Sequence, residues 1–290
     1  MLLPLLVVVV LKVAAYRPTP TESAAERVAR LYDRPECQSA ILRAKRSRDW
    51  SKLSRKEAIP VRSATVNKYR IHFVRDYKVA SLWYWENSIA SVLRTNATAI
   101  SDDVKRAVPF ATPTNETGLY ITFVRDPWTH LLAGYNEILH HAAHGGKGDF
   151  WRVSCDDEMG KVQRFKTFLE DLDKGTYLGQ LTYHMFPMSL LISVVAPKNG
   201  KRFDFIGDLT TLDRAVDDLR SAVGLEEETQ SPKDKMHSHD NDEGCNMNHF
   251  PTDPEIASRL CDLIEVDYVC FPDYAIPKVC LRLNPNYARG

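Results

Sequence analysis

The chain has 290 residues, is 44% hydrophobic and 26% charged, and carries 38 basic against 38 acidic side chains. That length suits one large α/β domain or two small ones, with the balance of a folded globular protein. Zero formal net charge excludes binding of polyanions through the overall field, so no nucleic-acid partner is indicated and any acidic partner must meet a local patch.

Residues 2–11 form an apolar run broken by Lys12. It is shorter than the roughly 20 residues of a standard membrane-spanning helix. It reads as a signal h-region with Val13-Ala14-Ala15 as a small-residue cleavage site, or as a short signal-anchor, over residues 1–15. The sequons at Asn96 and Asn115 point to the same secretory route. Residues 16–66 read as a stem with a short helix from about Thr19 to Arg34. A basic run follows (Arg43, Lys45, Arg46, Arg48, Lys52, Arg55, Lys56) and is read as a solvated face. The main domain is expected over residues 67–290.

Tyr69–Val74 is the first expected strand. The loop after it, Tyr77-Lys78-Val79-Ala80-Ser81, leads into a helix with Leu82, Trp85, Ile89, Val92 and Leu93 on one face. Backbone N–H groups at such a helix start can cradle an anion, with the Lys78 ammonium as a point charge beside them. No G-x-x-x-x-G-K-[ST] loop occurs, which disfavours a nucleotide kinase.

The most informative stretch is residues 121–135, ITFVRDPWTHLLAGY. A β-branched run, Leu119–Val124, ends at Arg125, with Asp126 placed as N-cap and Pro127 as the first helical residue. Trp128, Leu131, Leu132, Tyr135, Ile138 and Leu139 then share one helix face. A guanidinium beside exposed N–H groups and a positive dipole end suits a phosphate; the alternative partner is a neighbouring carboxylate. His140 and His144 have i,i+4 spacing, but no third ligand accompanies them and no metal is assigned.

Beyond these units, Phe165, Phe168, Leu169 and Leu172 mark a helix, and residues 180–188 read as a loop. Residues 189–195 fit a buried strand or helix, and residues 203–207 a strand. A helix is expected over residues 212–223, and Pro254 to Ile264 is read as the last one. Strands alternating with helices imply an α/β fold with a P-loop-like central parallel sheet flanked by helices on both faces. The six cysteines, four of them between Cys245 and Cys280, suggest one or two disulfides in the C-terminal part, with connectivity open.

With both strand-loop-helix units in hand, the chain resembles the Golgi carbohydrate sulfotransferases, in particular the branch with chondroitin 4-O-sulfotransferases and the enzyme of the sulfated glucuronyl epitope. That family's 3′-phosphate motif typically reads V-R-D-P-F-x-R-L-x-S-A-Y, against residues 124–135 here, VRDPWTHLLAGY. Its 5′-phosphosulfate motif, P-K-V-A-C/S-T, is similar to Tyr77-Lys78-Val79-Ala80-Ser81-Leu82. Three weaker likenesses follow in order: H-W-x-P-Q at residues 184–188, D-F-I-G-x-x-E-x-L at residues 204–212, and D-F-x-x-F-x-Y at Asp267, Tyr268, Phe271 and Tyr274.

The resemblance implies 3′-phosphoadenosine 5′-phosphosulfate (PAPS) as donor, a carbohydrate acceptor and a place in the Golgi lumen. Membrane contact would run only through an N-terminal anchor. Lys78, Val79, Ala80, Ser81 and Leu82 would hold the 5′-phosphosulfate and Arg125 the 3′-phosphate. Lys78 would stabilise the leaving oxygen, and His184 would serve as general base. No metal is needed, because protein cations balance the modest charge of a sulfuryl group. A tyrosine or lipid-linked acceptor, or a catalytically weak glycan-binding relative, are the alternatives. Ala133 stands where the family usually has a phosphate-binding serine. One missing bond to a charged group is worth about 1.5–3 kcal/mol of donor affinity, unless Thr129 or a backbone N–H substitutes. Tyr77, Leu82 and Met188 replace a proline, a threonine and a glutamine.

Overall fold

The computed structural model describes residues 24–47, 61–66, 69–74, 100–103, 118–142, 149–174, 184–195, 203–225, 245–247, 249 and 253–284. In chain order these carry α1 (Ala24–Tyr32), α2 (Pro35–Ser47), β1 (Val61–Val66), β2 (Tyr69–Val74), β3 (Ile100–Asp103) and β4 (Leu119–Val124). Then come α3 (Pro127–Ala142), α4 (Glu158–Asp173), α5 (Met188–Val195), β5 (Phe205–Asp208), α6 (Leu212–Ala222), α7 (Pro254–Cys270) and α8 (Lys278–Leu283).

The sheet has the order β3-β1-β2-β4-β5. β2, β4 and β5 are parallel, with Phe73 opposite Ile121 and Ile121 opposite Phe205. β4 lies between two parallel neighbours and is buried from Tyr120 to Val124 without alternation. These three strands are parallel as expected, while β1 and β3 beside them both pair antiparallel. Only two residues separate Val66 from Tyr69, and a parallel crossover needs a dozen or more, so β1 and β2 can only form a hairpin.

Helix ends follow local chemistry. Asp126 accepts the N–H of Thr129 at 2.9 Å at the head of α3, with Pro127 as its first residue. Asp253 caps α7 through the N–H groups of Glu255 and Ile256, both at 3.0 Å. α7 runs six residues past the Ile264 end read from the sequence, and α8 follows it, so it is not the last helix. The ambiguous apolar segment after Pro187 is helical, as α5.

Residues 24–47, read from composition as stem, bury Ala29, Tyr32, Cys37 and Ile41 in the same core as the sheet. The Tyr32 ring stacks on Phe271 at 6.2 Å, and Arg34 donates to the Val269 carbonyl at 3.0 Å. All six cysteines pair, as Cys37–Cys270, Cys155–Cys245 and Cys261–Cys280. The first of these bridges α2 to the end of α7, so the crosslinks reach beyond the C-terminal part. Among the described residues, no helix is long and apolar enough to cross a membrane.

Two apolar clusters fill the interior. One packs the sheet against α1, α2, α5 and α6; the other joins α3, α4 and α7 around Tyr135, Phe165 and Phe168. β4 belongs to the first cluster and α3 to the second. The turn between them, Arg125-Asp126, therefore sits on the seam.

Candidate functional site

In open α/β sheets, ligands bind beyond the carboxyl ends of the strands. Val124 and Asp208 are opposite each other where β4 and β5 end, which brings Arg125, Asp126 and Asp208 to one edge of the sheet. The edge is built from two consecutive turns. Asp126 caps α3, and Asp208 accepts the N–H and the hydroxyl of Thr210, both at 2.8 Å, to start the short turn Leu209–Thr211.

Arg125 is fixed at both ends. Its backbone N–H points at the thioether of Met188, 3.4 Å away. Its Nε donates to the hydroxyl oxygen of Thr129 at 3.2 Å, and that hydroxyl donates to the Asp126 carbonyl at 3.0 Å. Burial lowers the Arg125 pKa from its ordinary value, with Asp126 and Tyr274 pulling the other way. A guanidinium nonetheless stays protonated, so the result is a partly dehydrated cation at a helix N-terminus. An anion arriving there gains charge-assisted bonds and meets little competition from water.

Tyr268 and Tyr274, from the end of α7 and the segment after it, close the same region. The Tyr268 hydroxyl reaches the second Asp126 oxygen in a long 3.4 Å contact. The Tyr274 hydroxyl is buried beside Asp208 without completing a hydrogen bond. Burial first, then Asp208, raises the Tyr274 pKa, so this phenol is a proton donor and not a base.

His184 reaches the site along α3. It lies in the tight turn ahead of α5, and its carbonyl rests against Gly134. A Cβ at Gly134 would overlap the His184 carbonyl oxygen and stand 2.5 Å from its carbon. Residues 184–188 thus run beside α3, from Gly134 back to the Met188–Arg125 contact. At 1.5 Å per residue, Gly134 lies on the order of 10 Å along the helix from Pro127, so the His184 carbonyl and Arg125 lie at two separate points along α3.

The segment is held from below by Asp267. This fully buried carboxylate accepts the Met188 N–H at 2.9 Å, the Ser189 N–H at 2.8 Å and the Ser189 hydroxyl, capping α5 from another helix. Burial raises its pKa from 3.8 to about 6 against the pull of those three bonds.

The structure therefore places Arg125 at the head of α3 and the His184 carbonyl against Gly134 of the same helix. Lys78, Val79, Ala80, Ser81 and Leu82, with the helix read after them, lie outside the described residues. So do residues 1–15, the basic run beyond Ser47, and His144. The Thr129 hydroxyl, the substitute considered for the missing serine, lies between Arg125 Nε and the Asp126 carbonyl. Sequence reasoning missed Gly134, Asp208 and the buried role of Asp267. Asp267 appears in the sequence only as the first residue of the D-F-x-x-F-x-Y likeness, and Gly134 and Asp208 only as unremarked positions within the 3′-phosphate and D-F-I-G-x-x-E-x-L likenesses.

A model of the sulfotransferase family matches residues 83–275. The chain belongs to the sulfotransferase family, and transfer of a sulfuryl group is its general reaction class. No curated protein and no solved structure matches it.

The Gly134 contact makes a prediction. Gly134→Ala would force residues 184–188 away from α3, destabilising the fold by about 1–3 kcal/mol, as overpacking does. Turnover should fall by more than that loss of stability explains, because His184 is displaced. Activity measured well below the variant's melting temperature checks this; a variant as active as wild type would free His184 from any positional role.

Proposed function

We propose that this chain moves a sulfuryl group from PAPS to a carbohydrate hydroxyl, in the manner of the Golgi carbohydrate sulfotransferase branch it resembles. The observation that carries the reading is Arg125, held by Met188 and Thr129 at the β4–α3 turn as a partly dehydrated cation. A 3′-phosphate fits there because the guanidinium, the helix dipole and the carboxyl edge of β4 and β5 converge.

The donor would supply the activated sulfuryl group. Lys78, Ser81 and the N–H groups of residues 79–82 would hold its 5′-phosphosulfate end, and the family match begins immediately after that loop. Lys78 would neutralise charge on the bridging oxygen. His184 would take the proton of the acceptor hydroxyl. The pairing of all six cysteines supports an oxidising compartment and hence the secretory pathway.

A second reading, a glycan-binding relative with a weakened donor site, is favoured by Ala133 together with the two bonds the Thr129 hydroxyl already makes. Thermal unfolding with and without adenosine 3′,5′-bisphosphate separates the two. A hundredfold excess over Kd should add about 2.7 kcal/mol of stability. An unmoved melting temperature sinks the donor site. Labelled sulfate transfer onto desulfated polysaccharides, with tyrosine peptides and lipid-linked sugars beside them, then identifies the acceptor class.

A further inference from the structure

We propose that the Cys155–Cys245 bridge is an exchange-active disulfide, at which Cys155 takes up a low-molecular-weight thiol such as glutathione and Cys245 leaves as a thiolate beside Arg164. The inference is independent of the donor reading above.

Access separates the three bridges. Thiol–disulfide exchange requires a thiolate to reach a sulfur. Cys37, Cys270 and Cys280 are completely buried and Cys261 almost so, which closes the Cys37–Cys270 and Cys261–Cys280 bridges to that approach. Cys155 and Cys245 are only partly buried, and Cys155 lies between the exposed Ser154 and Asp156.

Charge then separates the two sulfurs of the open bridge. Arg164 of α4 donates through Nη1 to Cys245 Sγ at 3.3 Å, and through Nε to the Val153 carbonyl at 2.8 Å. The second bond fixes the guanidinium against the loop that carries Cys155. Cys155 itself is followed by Asp156, Asp157 and Glu158. Asp157 already occupies the head of α4, where it accepts the Gly160 N–H at 2.7 Å, so the helix dipole offers Cys155 little. A cation beside a sulfur favours its thiolate and makes it the better leaving group. That sulfur is Cys245.

In the exchange, the incoming thiolate forms a bond to Cys155 Sγ as the Cys155–Cys245 bond breaks, and the electron pair departs on Cys245 Sγ. A second thiolate can then displace Cys155 and carry off the first as a symmetrical disulfide; attack by Cys245 on the mixed disulfide instead recloses the bridge. Two residues on, Met247 is buried among α3, α4 and α7 and exchanges two hydrogen bonds with Asn136, at 3.0 and 3.2 Å. The segment therefore keeps an anchor when the bridge opens, and the modified protein stays folded.

The test incubates the oxidised, full-length protein with reduced glutathione, traps thiols by alkylation and maps the products by peptide mass spectrometry. Glutathione should appear on Cys155 and the alkyl group on Cys245, while the other two bridges remain closed. Arg164→Met should slow adduct formation about tenfold, the loss expected when one charge-assisted bond to the leaving thiolate is removed. Arg164→Lys should slow it less, because an ammonium keeps the charge. Closure of the two buried bridges shows in the same samples that each variant is folded. Three results would overturn the proposal: opening of all three bridges together in wild type, an adduct mainly on Cys245, or equal adduct rates in Arg164→Met and wild type.

Discussion

Asp267→Ala is expected to destabilise the protein by about 3–5 kcal/mol. The substitution strands the N–H groups of Met188 and Ser189 and the Ser189 hydroxyl in a dry interior, where each donor left unmade costs roughly 1–3 kcal/mol. For a domain of this size that is a fall in melting temperature on the order of 10 °C. Asp267→Asn keeps one oxygen but turns an amide N–H toward a donor, so it should recover only part of the loss. Urea unfolding with disulfides intact measures both. A loss below about 1 kcal/mol for the alanine variant would mean that water replaces the carboxylate, contrary to its complete burial.

The same residue gives a pH dependence of definite sign. The folded-state pKa of about 6 stands above the ordinary 3.8, so the folded protein holds this proton more tightly than the unfolded chain does. Its stabilising contribution is full below the unfolded value and is lost as pH rises from about 4 through about 6. Other carboxylates act in the opposite direction, so the diagnostic is the difference between wild type and Asp267→Asn across that window. If the two curves are parallel there, the carboxyl does not titrate as its burial demands.

The second large effect concerns Arg125. Arg125→Ala should weaken adenosine 3′,5′-bisphosphate binding by about 2–4 kcal/mol, or roughly 30- to 1,000-fold, since it removes a bidentate charged partner from a partly dehydrated position. Binding of adenosine 5′-monophosphate should change little. Stability without ligand should also hold, because the residues that end β4 and start α3, Val124 and Asp126, are untouched. Arg125→Lys should recover only a fraction: an ammonium keeps the charge but not the planar fork, and has no Nε for Thr129 to hold. A bisphosphate affinity unaltered by Arg125→Ala would place the second phosphate away from the head of α3.

The β4–α3 unit was legible in the sequence because every signal that builds it is local. A β-branched run gives the strand, Asp126 and Pro127 give the cap and first turn, and the 3.6-residue spacing of Trp128 through Leu139 gives the buried face. The same holds for β2, whose bounds match the structure. Residues 189–195 were ambiguous because a short apolar run satisfies a buried strand and a buried helix equally; capping by Asp267, 78 residues away, accompanies the helix. The antiparallel β1 was passed over because the basic run before it drew the whole segment into a stem.

The sequence alone therefore determined that a cation stands where a buried strand becomes a helix. Tertiary structure decided what that cation does with its bonds. The Met188 thioether that meets its N–H lies 63 residues away, and the His184 turn is seated on Gly134 only because α3 and that segment pack together. Local patterns fix φ and ψ within one element, whereas the partner of a buried donor is chosen by which elements share the dry interior. Thr129 shows the difference within a single turn. Its sequence position allowed a bond to a phosphate, and the folded chain places that hydroxyl between Arg125 Nε and the Asp126 carbonyl.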